Sequence, residues 1–156
     1  MARKDITMTP DEVQAFLESE RHLQVATIGR DGAPHLAPMW FTMRDGLVVF
    51  RSFTKSQKIV NLARDPRLTV LAERGAAYEE LQGVMIKGDA ELSADRAFVL
   101  EIYGELTARY PMVPGGALEG EALEAAFGRF AEKNTAVIVH PTKVVSWDHT
   151  KLGGAY

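Results

Sequence analysis

The run LVVFRSFTKSQKIVNLARDPRLTVL, Leu47 to Leu71, changes its hydrophobic period twice and constrains the fold more than any other stretch. Leu47 to Ser52 reads as an apolar strand, Gln57 to Arg64 as a short helix, and Arg67 to Leu71 as a second strand. Thr54-Lys55-Ser56-Gln57 fits a capping box, which would satisfy the first free N–H groups of the helix. Asp65-Pro66 stops the helix, because proline has no N–H and disfavours the α region in the residue before it. Helix-start N–H groups beside Arg51, Lys55 and Lys58 make a natural anion site. From Arg51 to Arg67 there are five basic residues and one acid, Asp65, whereas the whole chain carries a formal net charge of −3. The stretch therefore reads as a grip for a phosphate.

On its N-terminal side, Thr9-Pro10-Asp11-Glu12 is a helix start, with threonine at the N-cap, proline at N1 and Glu12 at N3. The helix is expected to reach Glu20, burying Val13, Phe16 and Leu17. Leu23 to Ile28 is a strand, Gly29 to Gly32 a hairpin turn, and Pro34 to Met43 one strand whose Pro38 marks an edge or a bulge. Beyond the central run, Glu73 to Gln82 reads as a loop or irregular hairpin, and Gly83 to Leu92 as a strand kinked at Gly88. Helices are expected from about Ala94 to Tyr110 and from about Glu119 to Lys133, the second burying Leu123, Phe127 and Phe130. Ala136 to His140 and Val144 to Trp147 are two strands joined through Pro141-Thr142, and Asp148 to Tyr156 is a polar tail with little reason to be ordered alone. Successive strands without intervening helices predict antiparallel pairing. The expected fold is a single α+β domain over residues 1–156, an antiparallel barrel with flanking helices.

The totals narrow the function classes. The 156 residues are 46% apolar and 25% charged, as in a folded globular domain. With no cysteine, disulfides, thiolate metal sites and cysteine nucleophiles are excluded. The four histidines lie at no ligand-like spacing, so no metal is expected. MARKDITMTPDE is charged throughout and no apolar run approaches membrane-spanning length, which leads us to expect a cytoplasmic protein with no membrane association. The mildly acidic balance argues against nucleic acid as a partner.

Three patches carry a resemblance: Gly32-Ala33-Pro34-His35 through Pro38-Met39-Trp40-Phe41, Arg51 through Asn61-Leu62-Ala63-Arg64-Asp65-Pro66, and Gly83 through Ala90. In order and spacing they resemble the flavin/deazaflavin oxidoreductases of the FMN-binding split β-barrel fold, the superfamily of pyridoxamine 5'-phosphate oxidase-like proteins. Val145 to His149 with Gly153-Gly154 looks like the branch that uses coenzyme F420. One departure is the closing TKLGGAY, where pyridoxamine-phosphate oxidases carry an arginine-leucine motif.

The resemblance implies a homodimer with the cofactor at its interface. Arg51, Ser52 and Phe53 would lie under the ring and linker, Lys55, Ser56 and Lys58 on the phosphate, and Pro38, Met39 and Trp40 along the ring and ribityl chain. Trp147 to Lys151 would reach the partner subunit's site. The implied activity is hydride transfer from reduced F420 to a small electron-poor organic acceptor, with no catalytic acid–base dyad of the protein's own and the following proton left to Tyr78 or solvent. An FMN-binding oxidase or flavin reductase, and a non-catalytic flavin- or haem-binding carrier, are the alternatives.

Overall fold

The N-terminal signals act as written. In the computed structural model, which describes residues 5–153, Thr9 and Glu12 complete a reciprocal capping box and start α1 (Pro10–Ser19). The chain then forms β1 (Leu23–Ile28), β2 (Pro34–Met39), β3 (Thr42–Arg44), β4 (Leu47–Phe53), α2 (Gln57–Arg64), β5 (Arg67–Arg74), β6 (Gln82–Ser93), α3 (Arg96–Arg109), α4 (Gly120–Ala131) and β7 (Asn134–Asp148). Two short 3₁₀ turns, Tyr78–Glu80 in the β5–β6 hairpin and His149–Leu152 after β7, complete the described elements. Expectations placed on residues 154–156 lie outside the described residues.

All strand pairs are antiparallel, in the order β2-β1-β5-β6-β7-β4-β3. Its two edges, β2 and β3, are separated in sequence only by Trp40 and Phe41. Three peptide steps span at most roughly 11 Å, so the sheet must curl until its edges almost meet. The result is the expected α+β split barrel.

Several local expectations give way. Pro34 to Met43 is two strands, because each half pairs at a different edge: β2 with β1 and β3 with β4. The two C-terminal strands are one, β7, which holds β6 on one side and β4 on the other. Their ladder slips between Lys87 and Gly88, so that Gly88 faces Pro141. A Cβ at Gly88 would stand 2.3 Å from the His140 carbonyl oxygen, which is why the kink needs glycine. No capping box forms at Thr54; Ser56 is the N-cap of α2 and no side chain caps it. Thr54 Oγ1 pairs instead with Thr135 Oγ1 of β7 at 2.9 Å. Phe130 is 56% exposed, because α4 turns Leu123, Gly128 and Ala131 inward instead.

Two cores result. One fills the barrel with Leu23, Val25, Val48, Phe50, Val70, Val84 and Val137, closed by Phe16 and Leu17 of α1 and by Ile59 and Leu62 of α2. The other lies outside, where Val49 and Ala136 meet Val99, Ile102 and Leu106 of α3 and Leu123 of α4. The tail after β7 is ordered by docking: His149 N donates to Leu81 O at 2.9 Å, and its ring tilts over Tyr78 at 4.5 Å.

Candidate functional site

Period-two alternation along β4 decides which of the anticipated residues can work together. Val48, Phe50 and Ser52 turn into the barrel, while Val49, Arg51 and Phe53 turn to the α3 side. The structure thus splits the anticipated set into two neighbouring groups.

The inner group gathers at the start of α2. Buried Ser52 places Oγ 3.0 Å from Ser56 Oγ, and Lys58 Nζ donates to Ser52 Oγ at 3.3 Å. Burial pushes the Lys58 ammonium below the ordinary lysine range, and among the described residues no carboxylate pairs with it. Lys55 is exposed on the turn, and Phe53 beside it is 49% exposed. The last two cations of the basic run are occupied. Arg67 pairs with Asp65 at 2.7 Å, holding that carboxyl down to about 2, and Arg64 donates to Ile28 O.

The orientation of α2 comes from residues the sequence reading passed over. Asn61 is fully buried; its Nδ2 donates to Thr27 Oγ1 at 3.0 Å, and its Oδ1 accepts from Gln57 Nε2 at 2.8 Å. This chain pins the helix to β1 and fixes the face that carries Lys58. An asparagine inside an otherwise apolar helix stripe, between Ile59 and Leu62, was the available signal.

The outer group lines a cavity of about 290 Å³ walled by His22, Pro38, Met39, Trp40, Arg51 and Leu106. Trp40, just before β3, and Arg51 of β4 share this wall. Trp40 is stacked on Tyr110 with ring centres 4.6 Å apart and planes 11° from parallel. The Tyr110 hydroxyl in turn holds both backbone groups of Phe41, accepting from N at 3.2 Å and donating to O at 3.0 Å. Arg51 lies with Cζ 4.2 Å over the Tyr103 ring, and burial draws its guanidinium down and the Tyr103 phenol up in pKa.

Trp147 and Lys151 stand apart from both groups. Arg51 faces Ala136 on β7, and the eleven residues from there to Trp147 (147 − 136) cover up to roughly 36 Å of strand. Trp147 lies against Gly83, where a Cβ would come 2.2 Å from Trp147 Cζ2. Lys151 Nζ donates to Thr7 O at 2.7 Å and pairs with Glu12 at 2.6 Å. Tyr78, on the β5–β6 hairpin, belongs to this same end. Among the described residues no group of three or more His, Cys, Asp or Glu could hold a metal ion, and no helix is long and apolar enough to cross a membrane.

A family model described as pyridoxamine 5'-phosphate oxidase matches residues 9–147. The conserved hypothetical protein Rv2991 from Mycobacterium tuberculosis is 35% identical, aligned over 100% of this chain and 94% of its own, with a TM-score of 0.88. An F420 reductase shares the fold at 21% identity and a TM-score of 0.64, over 85% of this chain and 94% of its own. An FAD-binding protein from Mesorhizobium loti does so at 17% identity and 0.66, over 90% and 94%. No curated protein matches the chain. The family match begins at the Thr9 cap and ends on Trp147, enclosing the barrel and both groups of residues, and the chain belongs to the pyridoxamine 5'-phosphate oxidase family of split β-barrels.

Proposed function

We propose that this chain is a coenzyme F420-dependent oxidoreductase that delivers a hydride to a small electron-poor organic acceptor. The observation that carries the reading is the group Ser52, Ser56 and Lys58 at the uncapped start of α2. Two hydroxyls, a partly desolvated ammonium and free helix N–H groups, with no acid among them, fit a phosphate group. On this reading Ser52, Ser56 and Lys58 hold the cofactor's phosphate, with Lys55 at the rim. Pro38, Met39 and Trp40 flank the reacting end, and the cavity they wall, where Tyr110 immobilises Trp40, is left open to the acceptor. The reduced cofactor, when bound, supplies the hydride. The chain's own task is to orient and to keep water out, which calls for no acid–base pair. The F420 reductase among the similar folds and the run from Val145 to His149 favour the deazaflavin. The FAD-binding protein of the same fold supports a flavin as the second reading, and of the flavins FMN suits one compact grip on one terminal phosphate.

The reading includes a homodimer. Beyond the helices, the outer sheet face presents Ala26, Ile28, Leu36, Leu71, Met85 and Val145, with Leu36 65% exposed. A second copy on this face would cover the open β2 edge. It would also be the source of any Trp147 contact with the grip, given the separation along β7.

Tryptophan-fluorescence titration with F420 and separately with FMN tests the cofactor, with Lys58→Ala as control, and light scattering tests the dimer. Saturable quenching by F420, weakened in the variant, supports the deazaflavin reading, and preference for FMN moves the chain to the second. Failure of both to bind below roughly 100 μM, about −5.5 kcal/mol, would end the phosphate-grip assignment.

A further inference from the structure

Arg51 differs from its fellow cations in what surrounds it. Arg44, Arg67, Arg74 and Arg96 each meet a carboxylate, and Arg64 and Arg109 donate to backbone carbonyls. Arg44 and Arg109 also have one buried nitrogen left over, but Nη2 of each is hydrogen-bonded. Arg51 has its Nε buried without a partner, and among the described residues its side chain makes neither an ion pair nor a hydrogen bond, while the Tyr103 ring lies against it. A guanidinium drawn partly out of water, with its buried Nε–H unpaired, is unfavourable until an acceptor arrives.

The cavity beside it says what kind of acceptor fits. No acid lines it; apart from Arg51 the walls are His22, two aliphatic side chains, a proline and the Trp40 indole. At about 290 Å³ it lies at the small end of ligand sites, which run from about 300 to 1,000 Å³. Tyr103 supports the guanidinium plane and Tyr110 supports the indole, so the charge and the flat wall are both held before a ligand binds. A guanidinium fork pairs with a carboxylate through two parallel hydrogen bonds, and an indole face favours a flat ring.

We propose that this cavity binds a small aromatic carboxylate, its carboxylate on the Arg51 guanidinium and its ring against Trp40. The site stands on the geometry of Arg51 and Trp40; identifying its occupant as the acceptor rests on the function proposed above.

The probe is benzoate, titrated into the full chain carrying Trp147→Phe so that Trp40 is the reporter, with benzamide as the uncharged shape match and inorganic phosphate as the non-aromatic anion. Benzoate is expected to quench saturably, at least about ten-fold more tightly than benzamide, and Arg51→Met to lose about ten-fold or more. Arg51→Lys keeps the charge without the fork and is expected to fall between them, which preserves the test if the methionine variant does not fold. Equal affinity for benzoate and benzamide, or undiminished benzoate binding in both Arg51 variants, overturns the proposal. Phosphate binding as tight as benzoate overturns its aromatic half. Lys58→Ala, on the opposite face of β4, should leave benzoate untouched while weakening the cofactor. Failure of the unsubstituted chain to bind either F420 or FMN while benzoate still binds therefore sinks the proposed function and spares this site, and cofactor binding without benzoate binding sinks only this site.

Discussion

The two ends of the barrel treat charge in opposite ways. At the end closed by α1, cations are spoken for: Arg109 Nη2 donates to Leu17 O at 2.7 Å and to Glu20 O, Arg74 reaches Glu20 at 3.1 Å, and Lys151 meets Glu12 and Thr7. Arg109 also lies 4.3 Å over the Phe41 ring, tying the C-terminus of α1 to the barrel wall. At the end where β4 runs into α2, the helix start is uncapped and Arg51 and Lys58 sit partly desolvated without a carboxylate. Cations in the first region satisfy carbonyls and acids that folding would otherwise strand. In the second, the same chemistry is left incomplete, which weakens the fold locally and strengthens whatever anion completes it.

The sharpest way to break this contrast is Arg109→Ala. It should cost about 2–4 kcal/mol in denaturant unfolding, from two charge-assisted hydrogen bonds and an aromatic contact, with cofactor affinity unchanged. Asn61→Ala should cost about 1–3 kcal/mol by leaving Thr27 and Gln57 without their partner, and, unlike Arg109→Ala, should also weaken cofactor binding because α2 loses its orientation. Lys58→Met should go the other way, leaving thermal stability unchanged or raised by up to about 1 kcal/mol while abolishing the phosphate grip. The smallest effect is expected of Lys151→Ala, below about 1 kcal/mol and vanishing in high salt, because the pair with Glu12 is partly exposed.

Titration sharpens the contrast further. Burial holds the folded pKa of Lys58 below its ordinary 10.5. The unfavourable charge is then fully present below the folded pKa and is relieved as pH rises from there toward 10.5. The ligand-free protein should therefore gain stability from this group across that alkaline window, while cofactor affinity falls across the same window. Thermal melts and titrations of wild type against Lys58→Met from neutrality upward check both signs; a flat difference between them would remove Lys58 from the site.

Much of this architecture could be read from local chemistry. The Thr9 capping box, the Gly29 to Gly32 turn, the Asp65-Pro66 stop and the Gly88 kink each depend on residues within a few positions, and each stands where expected. What failed depended on partners distant in sequence. Thr54 abandons the helix start for Thr135, eighty-one residues on, and nothing near Thr54 foretells it. Pro34 to Met43 reads as one strand because its two halves are equally extended, and only the sheet order separates them. In the site, the basic run was visible as composition, but composition is blind to direction. Period-two alternation already places Arg51 and Ser52 on opposite faces, whereas Asn61 and Tyr110 matter through contacts that only the folded chain displays.

The place of β7 between β6 and β4 has a consequence for the order of events during synthesis. Until residues 134–148 emerge, β2-β1-β5-β6 and β3-β4 are separate half-sheets, each with an open ladder edge where β7 belongs. The two halves of the β7 groove come from β4 and β6, with α2 and β5 between them in the chain, so closure must await long-range pairing and is expected to be slow. A nascent or truncated chain lacking β7 would expose both edges to other chains. Pairing of one strand thus joins two association-prone halves into the split barrel.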